Sequence, residues 1–168
     1  MLHLPRKERI ADPNNIRELK ETRQKYPNVT VIIAHFGRSF CPYYLRKWLT
    51  GTGGAEGFYF DTSAVIDPAT YDLAFSRIFK DHILYGSDLP IFFWHGRRTW
   101  TEREYHNLCR ERFSWNRLYE PPEVEATYTF FIYEQMRVIL DAVERHRFSK
   151  TETEGLFWGN ARRVLKLA

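Results

Sequence analysis

Three side chains able to handle protons or metal ions stand at corresponding places in this sequence: His3, His35 and Asp88 each close an apolar run. The runs are Met1-Leu2-His3, Val29-Thr30-Val31-Ile32-Ile33-Ala34-His35 and Ile83-Leu84-Tyr85-Gly86-Ser87-Asp88, the last ending just before Leu89-Pro90. Neutral imidazole and carboxylate suit zinc, manganese or iron, and a histidine left unligated beside such an ion can act as acid or base. One histidine after a strand is more often structural, and a lone aspartate there can cap a turn. Three residues obeying one rule point to a metal or proton-transfer site. Arg6 and Arg38 follow closely on His3 and His35, and a guanidinium makes paired hydrogen bonds to a carboxylate, so both are candidates to hold a substrate. Asp61 and Ser63 end a further apolar run and either orient a ligand or, more often, satisfy loop amides. His82 begins its run, at the opposite end from the others. His95, His106 and His146 have no ligand-like spacing, and all four are read as non-catalytic.

For residues this far apart to meet, something must deliver strand ends to one rim. Parallel strands joined by crossover helices do so. Runs apolar throughout fit strands covered on both faces, and four are expected: 1–3, 29–35, 57–63 and 82–87. Asp12-Pro13-Asn14-Asn15 opens a helix that reaches Tyr26, where Pro27 stops it. Pro42 opens a second, with Tyr44, Leu45, Trp48 and Leu49 on one face, broken by Gly51-Thr52-Gly53-Gly54. Pro68 opens a third, with Tyr71, Ala74, Phe75, Ile78 and Phe79 at spacings of three and four. From Leu89 to about Glu123 an aromatic and charged segment shows no sustained periodicity; a loop this long is expected to cover a site. After Pro121-Pro122 a long helix to about His146 should face the core with Tyr128, Phe131, Ile132, Met136, Ile139 and Val143. Ser149-Lys150-Thr151-Glu152 is a capping box that opens the last helix, with a weak point at Gly159. There is no internal repeat, so residues 1–168 read as one domain with an insertion at about 89–123.

With 168 residues, 43% hydrophobic and 17% aromatic, the chain can bury a sizeable core. It has neither a membrane-length apolar run nor a signal-peptide pattern, which points to a cytoplasmic protein without a membrane partner. Its 25 basic and 21 acidic residues, net +4, are interspersed and give no nucleic-acid patch. Cys41 and Cys109 fall in no metal-type spacing and are expected to be reduced thiols.

His-Leu-Pro-Arg from His3, Ile-Ile-Ala-His-Phe-Gly ending at Gly37, Phe-Asp-Thr-Ser from Phe60, Tyr-Gly-Ser-Asp-Leu-Pro from Tyr85 and Trp-Gly-Asn-Ala-Arg-Arg from Trp158 together resemble the amidohydrolase superfamily. More narrowly, they are similar to the amidohydrolase-related branch that includes aminocarboxymuconate semialdehyde decarboxylase. The resemblance implies that His3 is the metal-ligand histidine of the fifth barrel strand and Asp88 the metal-ligand aspartate of the eighth. It makes His35 the sixth-strand histidine, which acts on substrate or water in the decarboxylase branch and binds metal in others. The family also opens with a His-x-His pair, absent here, and a complete barrel takes about 250 residues. The chain therefore resembles the C-terminal half of a (β/α)8 barrel, with two sheet edges left open. Two functions follow. One is a share in a zinc- or manganese-dependent hydrolase or nonoxidative decarboxylase, with catalytic His35 and Asp88, acting on a small carboxylate-bearing or cyclic substrate. The other is a non-catalytic half barrel serving assembly. In either, the expected partner is a second copy or the missing N-terminal half.

Overall fold

The computed structural model describes residues 1–52, 55–109 and 118–167. Its centre is a parallel sheet of β1 (Ile32–Ile33), β2 (Tyr59–Asp61) and β3 (Ile83–Leu84), in that order. Ile33 faces Phe60, and Phe60 faces Ile83. The N-terminal run adds one parallel bridge outside β1: the Leu2 amide donates to Ile32 O at 2.7 Å, and the Ala34 amide to Leu2 O at 2.9 Å. The four expected strands thus lie side by side in sequence order, but their ladders are short. β1 is cut off because the chain turns at once into the left-handed region at His35 (φ 57°) and Phe36 (φ 46°). Ile33, Phe60 and Ile83 have no solvent exposure, as strands covered on both faces require.

Helices Pro13–Lys25, Pro42–Thr52 and Pro68–Arg77 form the crossovers. A proline starts each one, where its missing N–H costs nothing. Asp12 caps the first through the amides of Asn14 and Asn15, and Asp67 caps the third through Thr70. Leu45, Trp48 and Leu49 of the second, and Tyr71, Ala74 and Phe75 of the third, are buried. Tyr71 meets Phe36 edge-on at 5.9 Å, and Trp48 meets Phe60 at 5.5 Å.

The segment after Pro90 is more ordered than its sequence suggests. A 3-10 turn (Ile91–Phe93) leads into an antiparallel hairpin of β4 (Gly96–Trp100) and β5 (Tyr105–Cys109), with Arg98 opposite Asn107. Its buried positions are Gly96, Arg98, Asn107 and Cys109, so the alternation is real but not apolar, and no hydrophobic period marks it. Gly96 is needed for a close approach, since a Cβ there would sit 2.5 Å from Leu108 O. Residues 110–117 of the expected insertion lie outside the described residues.

The long helix is shorter and rotated from expectation. A single turn, Pro122–Glu125, precedes it, and the helix proper is Phe131–Arg145. It buries Phe131, Gln135, Val138, Ile139 and Ala142, while Met136 is 39% exposed. Gln135 explains the rotation: its Nε2 donates to Thr62 O and Gly86 O, both at 2.8 Å, tying the helix to the ends of β2 and β3.

Ser149 and Glu152 form the expected capping box. The weak point is a π turn, Gly155–Gly159, before the Asn160–Leu165 helix. There the Asn160 amide bonds Gly155 O, which releases Leu156 O to accept the Tyr85 amide at 2.9 Å. Asn160 Nδ2 also donates to Ile83 O at 2.8 Å and Lys80 O at 3.0 Å. The outer edge of β3, expected to be open, is therefore closed by the C-terminal helix. Among the described residues no strand pairs with the far side of Leu2. Cys41 and Cys109 are buried thiols, and no helix of the described residues is long and apolar enough to cross a membrane.

Candidate functional site

The C-terminal ends of the parallel strands open onto one cavity of about 510 Å³, lined by His3, His35 and Asp88 together with Arg38 and, from the hairpin, Arg98 and Asn107. The His3 and His35 rings stand edge-on, 5.2 Å apart. Four residues of this wall, His35, Arg38, Ala64 and Asp88, have left-handed backbone with φ between 57° and 63°. Such conformations are rare for residues other than glycine and gather where a site is over-determined by its surroundings.

His35 is placed through β2. The Asp61 carboxylate accepts the His35 amide at 2.8 Å and the Ser63 amide at 3.0 Å, and the Ser63 hydroxyl also donates to it. His35 Nδ1 lies 2.8 Å from Ser63 Oγ and 2.9 Å from Ser63 O. Because the Ser63 hydroxyl proton is spent on Asp61 and a carbonyl can only accept, both neighbours of Nδ1 are acceptors. The proton of the neutral ring therefore sits on Nδ1, and Nε2 carries the lone pair. Asp61 and Ser63 do what such residues commonly do, satisfying loop amides, and in doing so set the tautomer. Gly37 completes the turn at φ 73°, where a Cβ would fall 2.4 Å from the Ile10 side chain.

Partial loss of water, then the facing His35 and Arg38, hold the His3 imidazole below its ordinary value. The lowering favours the neutral imidazole, the form that can ligate a metal. Asp88 supplies a carboxylate to the same cavity, and its negative charge acts on both His3 and Arg98. Arg38 donates to Pro5 O at 3.0 Å, and its Nε is buried without a hydrogen bond.

Arg6 does not line this cavity. It makes a two-pronged ion pair with Glu18 at 2.8 and 2.9 Å, adds a bond to Asn15, and lines a neighbouring groove beside the first helix that His3 also lines. His82 contacts Phe58 O, and His146 contacts Asp72, both at 3.0 Å. His95 Nδ1 is 3.9 Å from Glu125. Sequence reasoning missed Arg98 and Asn107. The signal that could have found them is the polar alternation Gly96-x-Arg98 and Asn107-x-Cys109, mirrored about a turn.

Imidazole from His3 and carboxylate from Asp88 are donors of the type that hold zinc or manganese. Among the described residues, however, no three His, Cys, Asp or Glu side chains converge closely enough to hold an ion. The donors fit in kind and form an incomplete set.

The chain is similar to the 5-carboxyvanillate decarboxylase of Sphingomonas paucimobilis at 13% identity and a TM-score of 0.47, over 92% of this chain and 39% of that one. It thus spans about two fifths of that solved chain's length. No curated protein matches it. The sequence model of the amidohydrolase family matches residues 2–167, and the chain belongs to that family.

Proposed function

We propose that this chain carries the C-terminal share of the active site of a metal-dependent hydrolase or nonoxidative decarboxylase, built as part of a (β/α)8 barrel and acting on a small carboxylate-bearing or cyclic molecule. The observation that carries the reading is the shared cavity of His3, His35, Asp88 and Arg38. His3 and Asp88 would hold a divalent metal, zinc or manganese, together with donors from outside the described residues. The ion would supply an acidified water or a polarised substrate oxygen. His35 exchanges a proton at Nε2 while Ser63 keeps Nδ1–H in place. Asp88 accepts a proton near the ion, and Arg38 orients a substrate carboxylate. In this reading the protein works in the cytoplasm as a homodimer or joined to an N-terminal half barrel. A purely structural half barrel is the weaker reading, because a packing module has no use for strained rim residues that carry chemistry.

The test is calorimetric titration of the full chain with zinc, beside the His3→Ala and Asp88→Asn variants. Wild type should bind weakly and each variant about tenfold or more weakly again, as expected when one ligand of a partial set is lost. Equal binding by all three, or no uptake by wild type at millimolar zinc, would refute the metal reading.

A further inference from the structure

The hairpin that lines the cavity has an outer edge that is paired only halfway along. β4 and β5 run in antiparallel register, Arg97 with Leu108, Arg98 with Asn107, Thr99 with His106 and Trp100 with Tyr105. Backbone groups in such a ladder point alternately towards the partner strand and away from it. The Gly96 amide donates away from β5, to Thr129 O at 3.0 Å, and the Thr101 amide donates back across the turn, to Glu104 O at 2.9 Å. By that alternation the N–H and C=O groups of Arg98 and Trp100 also point away from β5. Among the described residues no backbone group pairs with them there.

The first half of this edge already carries an extended chain, since His95 bridges Phe130 antiparallel beside the Gly96–Thr129 bond. Before Thr129 the chain departs towards the Pro122–Glu125 helix, and the added strand stops. In its place lies a groove of about 480 Å³, lined by Arg97, Arg98 and Trp100 of β4 and by Ile66 and Val138. Its free main-chain groups recur two residues apart, about 7 Å, which is the repeat of an extended chain. Its charge is one-sided. The Arg97 side chain is exposed, lies over the Tyr128 ring at 5.4 Å and has no ion pair or hydrogen bond among the described residues. Arg137, also at the groove, is already held by Glu134 at 2.8 Å and Asp141 at 3.3 Å. A cation on a strand edge keeps like chains apart, and two copies joined here would bring their Arg97 side chains together. The same charge admits an acidic chain.

We propose that the outer edge of β4 at Arg98 and Trp100 is a docking site for an extended acidic segment of a partner protein, added as a strand in line with Thr129 and Phe130. Main-chain hydrogen bonds hold a segment bound in this way, and its alternate side chains give the selectivity. Acidic side chains meet Arg97, and the apolar ones between them meet Ile66 and Val138. The site is separate from the chemistry proposed above and does not depend on it. The strand it engages is nevertheless the one that carries Arg98 into the cavity, where Nε donates to Asn107 Oδ1 at 2.7 Å.

The experiment titrates the isotope-labelled full chain with a short peptide alternating valine and aspartate, and with its valine–lysine counterpart, while hydrogen exchange of single amides is followed by NMR. At saturation the aspartate peptide should slow exchange of the Arg98 and Trp100 amides about tenfold or more, and it should bind about tenfold more tightly than the lysine peptide. Arg97→Glu changes an exposed side chain and leaves the β4–β5 pairing in place; it should reverse the preference between the two peptides. Because both peptides are compared on one variant, a general loss of stability cannot imitate that reversal. Unprotected Arg98 and Trp100 amides at millimolar peptide, equal binding of the two peptides, or an unchanged preference in Arg97→Glu would overturn the proposal. So would protection that rises with protein concentration in the absence of peptide, together with a doubled mass in sedimentation, since the edge would then belong to a second copy.

Discussion

The carboxylate of Asp61 reaches across from β2 to accept the backbone amide of His35 at 2.8 Å. One buried side chain thereby fixes the turn leaving β1 and, through Ser63, the ring that the turn presents. Removing it leaves two buried amides and a hydroxyl without their acceptor. At about 1–3 kcal/mol for each unsatisfied group, Asp61→Ala should destabilise the fold by roughly 3 kcal/mol or more. Ser63→Ala, which frees no amide, should cost about 1 kcal/mol. Urea unfolding of the two variants checks this; equal and small losses would show that Asp61 is not the anchor of the turn.

Glu152 gives the fold an acid-sensitive point. The Ser149 amide, then Lys80, lower its carboxyl to about 2 from an ordinary value of 4.5. Between those values the unfolded chain binds more protons than the folded one, so stability rises with pH through the window. The contribution is complete above 4.5 and is lost as pH falls through about 2. Melting curves of wild type and Glu152→Gln should therefore differ at pH 5 and converge towards pH 2. A difference independent of pH would argue that the capping box acts without its charge.

Asn160 guards a sheet edge. Its Nδ2 satisfies Ile83 O, and the adjacent π turn offers Leu156 O to Tyr85. Asn160→Leu should cost about 1–3 kcal/mol by orphaning buried carbonyls. It should also raise self-association, because an unpaired parallel edge templates pairing with another chain. Sedimentation velocity would detect this; a variant with the mass distribution of wild type would place any association at the Leu2 side instead.

Much of the architecture was legible because its signals are local. A proline opens each crossover helix, Asp12 and Asp67 sit where caps belong, and apolar runs end on His35 and Asp88. The hairpin was not legible, since its inward positions are glycine, arginine, asparagine and cysteine, which carry no hydrophobic period. The helix face was misjudged for a related reason. Buried Gln135 is held by two carbonyls from other elements, and this turns Met136 outward against its hydrophobicity. The spacing of Arg6 from His3 does not reveal its ion pair with a carboxylate twelve residues on, at Glu18. Only the folded turn between them brings that pair together.

The left-handed backbone at His35, Arg38, Ala64 and Asp88 also shapes how this sequence can drift. At these positions a saturation library is filtered twice, once by what the side chain does and once by whether its Cβ tolerates the turn. Aspartate and asparagine suit that conformation, β-branched residues least. Asp88→Asn should therefore persist in a library sorted for folding alone, and valine or isoleucine at any of the four should vanish even where the cavity has room for them. Chemical similarity would then be a poor guide to which substitutions survive around this rim, and backbone angle the better one.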